Sequence, residues 1–352
     1  GTCRGAIPGA RFICGGTLRM EDVIGKAVMI EPKDHEILTE FLTSAWMRPQ
    51  PETTTTGDLV LRAGRYFLGA PYAAHTLEAP GPEALVVNLR AFDCFTLVES
   101  CCALALLARR IIVNDQAKDR RQQAFHGEGT AKDDRPGAAR DIPSPRQGHP
   151  GAPIVISSSD WYDRRDFFPS PDRSPGAIAA AFTALLRTLR YRDGIIAGYP
   201  SRLHYFSDWV ADNARKGLLR DITAALGGRP TPKVIDFMTK HREHYQSLRD
   251  ETVYSEVREI EARLSALPRH VLPKEEIAVW EDRIAPGDIL AIATHEEGLD
   301  VAHAGIAIRE AGRLHLLHAS SEAGRVITSP ETLAACLQER ENRAGIVVAR
   351  LK

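Results

Sequence analysis

The sequence has no excess of either charge, no long apolar run and few cysteines, and each absence excludes a class of protein. The 45 Lys and Arg side chains stand against 46 Asp and Glu, for a formal net charge of −1. A chain so balanced has no bulk field with which to hold nucleic acid or an anionic membrane. No apolar run approaches the ~20 residues that cross a bilayer as a helix. Six cysteines in 352 residues are too sparse for a disulfide-stapled scaffold. Cys3, Cys14 and Cys336 lie near the ends. Cys94, Cys101 and Cys102 share one apolar stretch whose spacing matches neither a redox CxxC nor a zinc knuckle. The sequence also lacks a G-x-S-x-G elbow, a G-x-x-x-x-G-K-[ST] phosphate loop and an H-E-x-x-H zinc motif. His241 and His244, three apart on a Glu- and Arg-rich segment, read as a solvated face rather than a metal site. No cofactor and no metal are expected.

What is present is an ordinary globular composition, 43% hydrophobic and 26% charged, long enough to bury a sizeable core. At about 150 residues per domain the length is two domains' worth. Residues 1 to about 30 carry scattered glycine and little periodicity, and an irregular arm is expected there. Apolar residues from Lys33 through Leu42 recur at helical spacing, and a second helix is expected from Asp58 to Phe67, closed by Gly69 and Pro71. Phe95 to Leu107 is apolar almost all round, the mark of a buried central helix. Between about 114 and 174 lies a polar surface insertion, with almost no apolar residue from Lys118 to Gly151. A helix is expected from Pro175 to Tyr191, and a long amphipathic one from Ile235 to Leu267, broken near Asp250, within a helical subdomain at about 195–270.

Five short β-type runs follow: Ile289–Thr294, Val301–Ile308, Arg313–Ala319, Arg325–Thr328 and Gly345–Leu351. Their connections are too short for crossover helices, which implies an antiparallel sheet. Helices first and strands last make an α+β fold. The expected division is an arm and helix at 1–56 and one main domain at 57–352. The chain opens on Gly1 rather than Met, and a trimmed form without its signal peptide is expected.

Cys94 stands where polar sequence meets the buried helix. A helix N-terminus carries partial positive charge and unpaired N–H groups, both of which favour thiolate over thiol. Cys101 and Cys102, deeper in the same helix, read as small core residues. A cysteine nucleophile needs a base and a group that orients the base. Of the twelve histidines, His303 and His318 are polar interruptions in otherwise apolar strands. As a pair on neighbouring strands, they suit base and orienter better than two satisfied core histidines.

Asp93-Cys94, Val301-Ala302-His303-Ala304-Gly305-Ile306-Ala307 and His318-Ala319-Ser320-Ser321 resemble the three signatures of NlpC-type cell-wall peptidases, a papain-like family of cysteine hydrolases. Gly69-Ala70-Pro71-Tyr72 resembles that family's GxPY segment. Four further strings are similar to one bacterial branch, once a domain of unknown function, of N-acetylmuramoyl-L-alanine amidases. They are Val86-Val87-Asn88-Leu89-Arg90, Tyr191-Arg192-Asp193-Gly194, Tyr199-Pro200-Ser201-Arg202-Leu203-His204-Tyr205-Phe206-Ser207-Asp208-Trp209, and Leu314-His315-Leu316-Leu317-His318-Ala319-Ser320-Ser321. The resemblance covers roughly residues 57 to 352.

This resemblance implies a papain-like core in which a helix carrying the cysteine packs on a sheet carrying the histidines. Residue by residue it makes Cys94 the nucleophile, His303 the general base, His318 the orienting group and Tyr72 the oxyanion-site tyrosine. Most NlpC-type enzymes have a serine before the base histidine that helps bind a free peptide N-terminus; here Ala302 occupies that position. The implied substrate is peptidoglycan or a muropeptide fragment, cut between the muramic lactyl group and L-alanine. A D-Glu-diaminoacid endopeptidase and a non-catalytic muropeptide-binding module are the alternatives. Arg202 is expected to grip a stem-peptide carboxylate, with His204, Tyr205, Ser201 and Asn88 as further substrate contacts. A cell-wall substrate implies the periplasm or cell surface, with cytoplasmic recycling as the other location.

Overall fold

Most helices of this chain open on a polar signature that the sequence displays. The structure, a computed structural model, describes residues 10–12, 18–21, 27–44, 54–78, 81–127 and 174–352. Helix α1 (Pro32–Thr43) has proline in its first turn, where a missing N–H costs nothing. Helix α2 (Thr56–Tyr66) is capped by Thr55, and Asp58 returns the favour by accepting the Thr55 N–H at 2.8 Å. Helix α3 (Cys94–Gly127) starts beside Asp93, whose Oδ1 accepts from the N–H groups of Phe95 and Thr96 at 2.9 and 2.7 Å. Then come α4 (Pro175–Arg190, capped by Ser174), α5 (Phe206–Arg215), α6 (Glu251–Ser265, capped by Asp250) and α7 (Leu333–Gln338, capped by Thr332).

Strands β1 (Ala10–Phe12), β2 (Leu18–Glu21), β3 (Ala27–Ile30) and β4 (Leu85–Val86) form a small sheet in that order, parallel only between β3 and β4. The arm at 1–30, expected to be irregular, therefore contains three strands. Leu18-Arg19-Met20-Glu21 alternates apolar and polar, a two-residue period hidden by the surrounding glycines, and the buried Val28 and Ile30 join the main core.

The larger sheet contains β5 (Leu219–Asp221), β6 (Arg229–Pro230), β7 (His270–Pro273), β8 (Ile289–Thr294), β9 (Val301–Glu310), β10 (Arg313–Ser320), β11 (Arg325–Thr328) and β12 (Arg343–Leu351). Its order is β11-β10-β9-β8-β12-β7-β6, with β5 also on β12, and every pairing is antiparallel. The α+β reading holds. One face of the sheet packs on α2 and α3. Leu97, Val98, Cys101, Cys102 and Leu104 of α3 are fully buried there with Ile306 and Leu317. Each such aliphatic burial is worth about 1.5–3 kcal/mol. On the other face, Leu333 and Leu337 of α7 meet Leu290, Leu314 and Leu316.

Two expected boundaries move. Helix α3 runs to Gly127, so residues 114–127 extend a nucleated helix rather than open the insertion; each added residue gains a backbone bond without repeating the cost of the first turn. The rest of the insertion, 128–173, lies outside the described residues. The long helix expected over Ile235–Leu267 does break at Asp250, which caps α6, but the part before the break is only a short helix at 237–240 and two 3-10 turns. The stretch 195–270 also supplies β5 and β6 to the large sheet, while Tyr199, Tyr205, Met238, Leu248, Val257 and Leu264 form a small core of their own.

Candidate active site

Asp93 and Thr96 fix the first turn of α3 and thereby the place of Cys94. Thr96 Oγ1 accepts the Asp93 N–H at 3.0 Å and donates to Asp93 Oδ1 at 2.9 Å, closing a reciprocal cap. Cys94 is the first residue of the helix and half-buried. The N–H groups of Ala304, Cys94 and Phe95 hydrogen-bond toward its sulfur. The thiol of α3 thus touches β9 at the residue after His303.

The sheet explains how the two histidines meet. The β9–β10 ladder runs from Arg313↔Glu310 to Leu317↔Ile306, after which β10 pairs with β11. Extending that register by one residue sets His318 opposite Gly305, so His318 and His303 are diagonal neighbours on one face. His303 Nε2 lies 2.6 Å from His318 Nδ1, with the rings perpendicular. Gly305 is required between them, because a Cβ there would stand 2.7 Å from the Leu317 carbonyl oxygen. In β9 the pairing with β8 slips between Ile292↔His303 and Ala293↔Val301, which makes the exposed Ala302 the extra residue of a bulge. Such bulges re-aim neighbouring side chains.

Tyr72 arrives from a third segment. Pro71 accepts the Phe92 N–H at 3.0 Å, Tyr72 donates to the Gly324 carbonyl at 2.9 Å, and Ala73 donates to the Phe92 carbonyl at 2.9 Å. Tyr72 is thereby stitched between the start of α3 and the β10–β11 turn. Burial raises its hydroxyl pKa first, and the neighbouring Cys94 and Asp93 charges raise it further.

The electrostatics correct the expected resting thiolate. Burial, then the Asp93 carboxylate, push the Cys94 thiol up to about 12, and the three N–H donors offset only part of this. The cap that builds the helix N-terminus is itself an anion, and its charge opposes ionisation of the thiol on top of the larger effect of burial. Burial lowers His303 to about 3, helped by His318 and Arg343, and lowers His318 to about 4, helped by Arg343. Thiol and imidazole therefore rest as a neutral pair.

The residues expected to bind substrate have internal partners. Arg202, expected to face the cleft, is buried. Its Nη1 donates to the Leu77 carbonyl at 2.9 Å and its Nη2 to Glu78 Oε1 at 2.8 Å; Glu83 lies 3.5 Å from its Nε and the Tyr199 ring lies against it. A guanidinium with two carboxylates beside it holds the fold together and has no free edge for substrate. His204 Nε2 meets the Tyr199 carbonyl at 2.9 Å, and Tyr205 donates to Glu261 at 2.6 Å. Ser201 donates to the Gly198 carbonyl at 2.6 Å. Asn88 Oδ1 accepts the N–H groups of Arg90 and Ala91 at 3.0 and 3.2 Å, shaping the approach to Phe92. The 199–209 segment reaches the site indirectly: Phe206 and Trp209 pack edge-on to Phe95, and Asp300 accepts from Ser207 N–H and Oγ, both at 2.7 Å.

The structure thus sets Tyr72 beside Cys94, the Ala304 N–H against the Cys94 sulfur and His303 against His318, and it gives Arg202, His204, Tyr205, Ser201 and Asn88 partners within the chain. Asp93 and Arg343 had no expected role. Asp93 carried a legible signal, a capping residue three before a hydroxyl; Arg343 carried none. Among the described residues, no three His, Cys, Asp or Glu side chains converge as metal ligands. No described helix is long and apolar enough to cross a membrane.

A family model described as AmiA-like, N-acetylmuramoyl-L-alanine amidase-like, matches residues 62–124 and 173–346, well over half the chain. The chain belongs to this amidase-like family. Two crystal structures of an N-acetylmuramoyl-L-alanine amidase from Bacteroides uniformis each superpose with a TM-score of 0.62, at 32% and 34% identity, over 84% of this chain and 99% of the other. A Legionella pneumophila protein from a family of unknown function shares the fold with a TM-score of 0.56 at 18% identity, over 91% of this chain and 94% of its own. No curated protein matches the chain.

Proposed function

We propose that the chain is a papain-like cysteine amidase that hydrolyses the bond between the lactyl group of N-acetylmuramic acid and L-alanine in peptidoglycan or its fragments. The reading is carried by the His303–His318 contact beside a half-buried thiol on a helix N-terminus, within an amidase-like family. With Nε2 of His303 engaged by His318, Nδ1 is the nitrogen left for the thiol proton. As Cys94 sulfur attacks the lactyl carbonyl, its proton passes to His303, and the new S–C bond leaves negative charge on the carbonyl oxygen. The Cys94 N–H and the Tyr72 hydroxyl are the donors offered to that oxygen. His303 then protonates the departing alanine nitrogen as the C–N bond breaks, leaving a thioester and a free peptide. A water that gives its proton to His303 cleaves the thioester, and the thiol recovers that proton. A neutral resting pair suits this sequence, because the proton moves only when a carbonyl is present to receive the sulfur.

A cell-wall substrate favours the periplasm or cell surface as the site of action, with cytoplasmic recycling of fragments as the other location. The test is mass spectrometry of digested muropeptides. Free sugar with an intact peptide beginning at L-alanine is the expected product. A peptide cut further along would indicate an endopeptidase, and unchanged substrate a binding module.

A further inference from the structure

On the sheet face that carries the two histidines stands a cation that forms no ion pair among the described residues. Arg343 opens β12 opposite Thr294 of β8, and β8 sets Ile292 opposite His303. Directly opposed residues share a face, and so do residues two apart on one strand. Arg343, Thr294, Ile292 and His303 therefore line one face, with Arg343 two strand spacings, about 10 Å, to the side of the base and two residues, about 7 Å, along the strand from it. Its guanidinium is tethered at one corner: Nη1 donates to the backbone carbonyl of Cys336 and lies 3.1 Å from that residue's sulfur. Arg343 is half-buried and makes no ion pair with any carboxylate among the described residues. Nη2 and Nε, the edge that takes a carboxylate with two parallel bonds, are left over.

This placement is costly for the proposed chemistry unless the charge is answered. The reaction makes an imidazolium on His303, and a fixed cation nearby opposes it. Around the pair and the guanidinium, the titratable or charged groups include Cys94 and Asp93 from α3, Tyr72 from the loop before it, and Cys336 on α7, with Glu331 and Glu339 close to that cysteine. None of these forms a salt bridge with Arg343. We propose that Arg343 anchors a carboxylate of the substrate's peptide and that this contact frees the His303–His318 pair from the guanidinium's field. Substrate arrival then switches on its own base. The proposal rests on the amidase reading and deepens it, since the peptide beyond the scissile amide supplies the carboxylate.

The experiment has two arms. In the Cys94→Ala protein, calorimetry compares N-acetylmuramoyl-L-alanyl-D-glutamate with the same compound carrying carboxamides in place of both carboxylates. A preference for the carboxylate of roughly ten-fold or more is expected, lost in Arg343→Gln while the diamide binds as before. Arg343→Lys, which keeps a donor for the Cys336 carbonyl, provides a second variant should the glutamine protein not fold. It should retain only part of the preference, because an ammonium cannot copy the two-point fork. With active enzyme, Arg343→Gln should move the acid limb of kcat/KM to higher pH, and Arg343→Lys should leave it in place. A carboxylate preference unchanged in both variants, or an acid limb that stays put in Arg343→Gln, overturns the proposal. If wild type releases free peptide while the preference ignores Arg343, the anchor fails and the amidase stands. If the preference follows Arg343 but no peptide is released, the anchor stands and the amidase reading fails.

Discussion

His303 Nε2 and His318 Nδ1 lie 2.6 Å apart, so one of the two nitrogens must carry the proton that the other accepts. With the donor on His318, its other ring nitrogen is an acceptor and the ring only steers. With the donor on His303, Nδ1 of His303 is the lone-pair nitrogen that can take a proton from the thiol. Only the second arrangement makes His303 a base, and the role of His318 is to hold that tautomer.

From this follows an ordering of variants. His303→Ala should lower kcat by about 10²–10⁴, the span of general acid–base catalysis. His318→Ala should cost less, and His318→Asn, which keeps an acceptor near the same place, less again. Steady-state kinetics on a muropeptide check the order. Activity of His303→Ala equal to wild type would refute the assignment.

Cys94→Ala should abolish turnover and leave the melting temperature close to wild type. Cys101→Ala and Cys102→Ala should keep turnover and lose about 1 kcal/mol each, because their sulfurs only fill the core. A chelator should have no effect on activity. Inactivation by the chelator with indifference to iodoacetamide would point to a metal mechanism.

The Asp93 carboxylate makes an opposite pair of predictions for one side chain. Asp93→Asn keeps an oxygen for the Phe95 and Thr96 N–H groups but removes the charge beside the thiol, so alkylation of Cys94 at pH 7 should be faster than in wild type. Asp93→Ala also removes the cap and should cost about 0.5–2 kcal/mol of stability. In wild type, with the thiol pushed up to about 12, alkylation should keep accelerating from pH 7 to 10. A rate already flat at pH 7 would show a resting thiolate instead.

Stability should fall on mild acidification. His303 and His204 are lowered by burial to about 3 and His318 to about 4, against an unfolded value of 6.5. Between these limits the unfolded chain binds more protons than the folded one. The stabilisation from keeping the rings neutral is therefore complete above pH 6.5 and drains away as the pH drops toward 4. The melting temperature should decline from pH 7 to pH 5, and His204→Gln should flatten the slope. A melting temperature that rises over this interval would contradict the burial of these rings.

Arg202→Lys should act on the fold rather than on specificity. Its guanidinium spans the Leu77 carbonyl and the carboxylates of Glu78 and Glu83, a geometry that an ammonium cannot span. A lower melting temperature with unchanged discrimination between charged and amidated muropeptides is expected. Unchanged stability with a raised KM for the charged substrate alone would restore the cleft-facing role.

What the sequence determined by itself is local or periodic. The buried character of α3 was legible because a helix with no polar face has nowhere else to lie, and the strands from Ile289 onward were legible because side chains alternate every two residues. Cys94 was legible as a residue at a junction of polar and apolar sequence, and His303 and His318 as polar breaks in apolar strands. Tertiary structure alone decided which neighbours those residues received. The β9–β10 register made two histidines fifteen residues apart into diagonal partners. Burial, with the Asp93 charge added to it, turned an expected thiolate into a thiol, since a sulfur stripped of water is costly to ionise beside a carboxylate. Arg202 and Arg343 look alike in the sequence, yet one is flanked by two carboxylates and the other forms no ion pair among the described residues. Charge partners are set by long-range packing, and no spacing along a chain encodes which distant carboxylate will arrive.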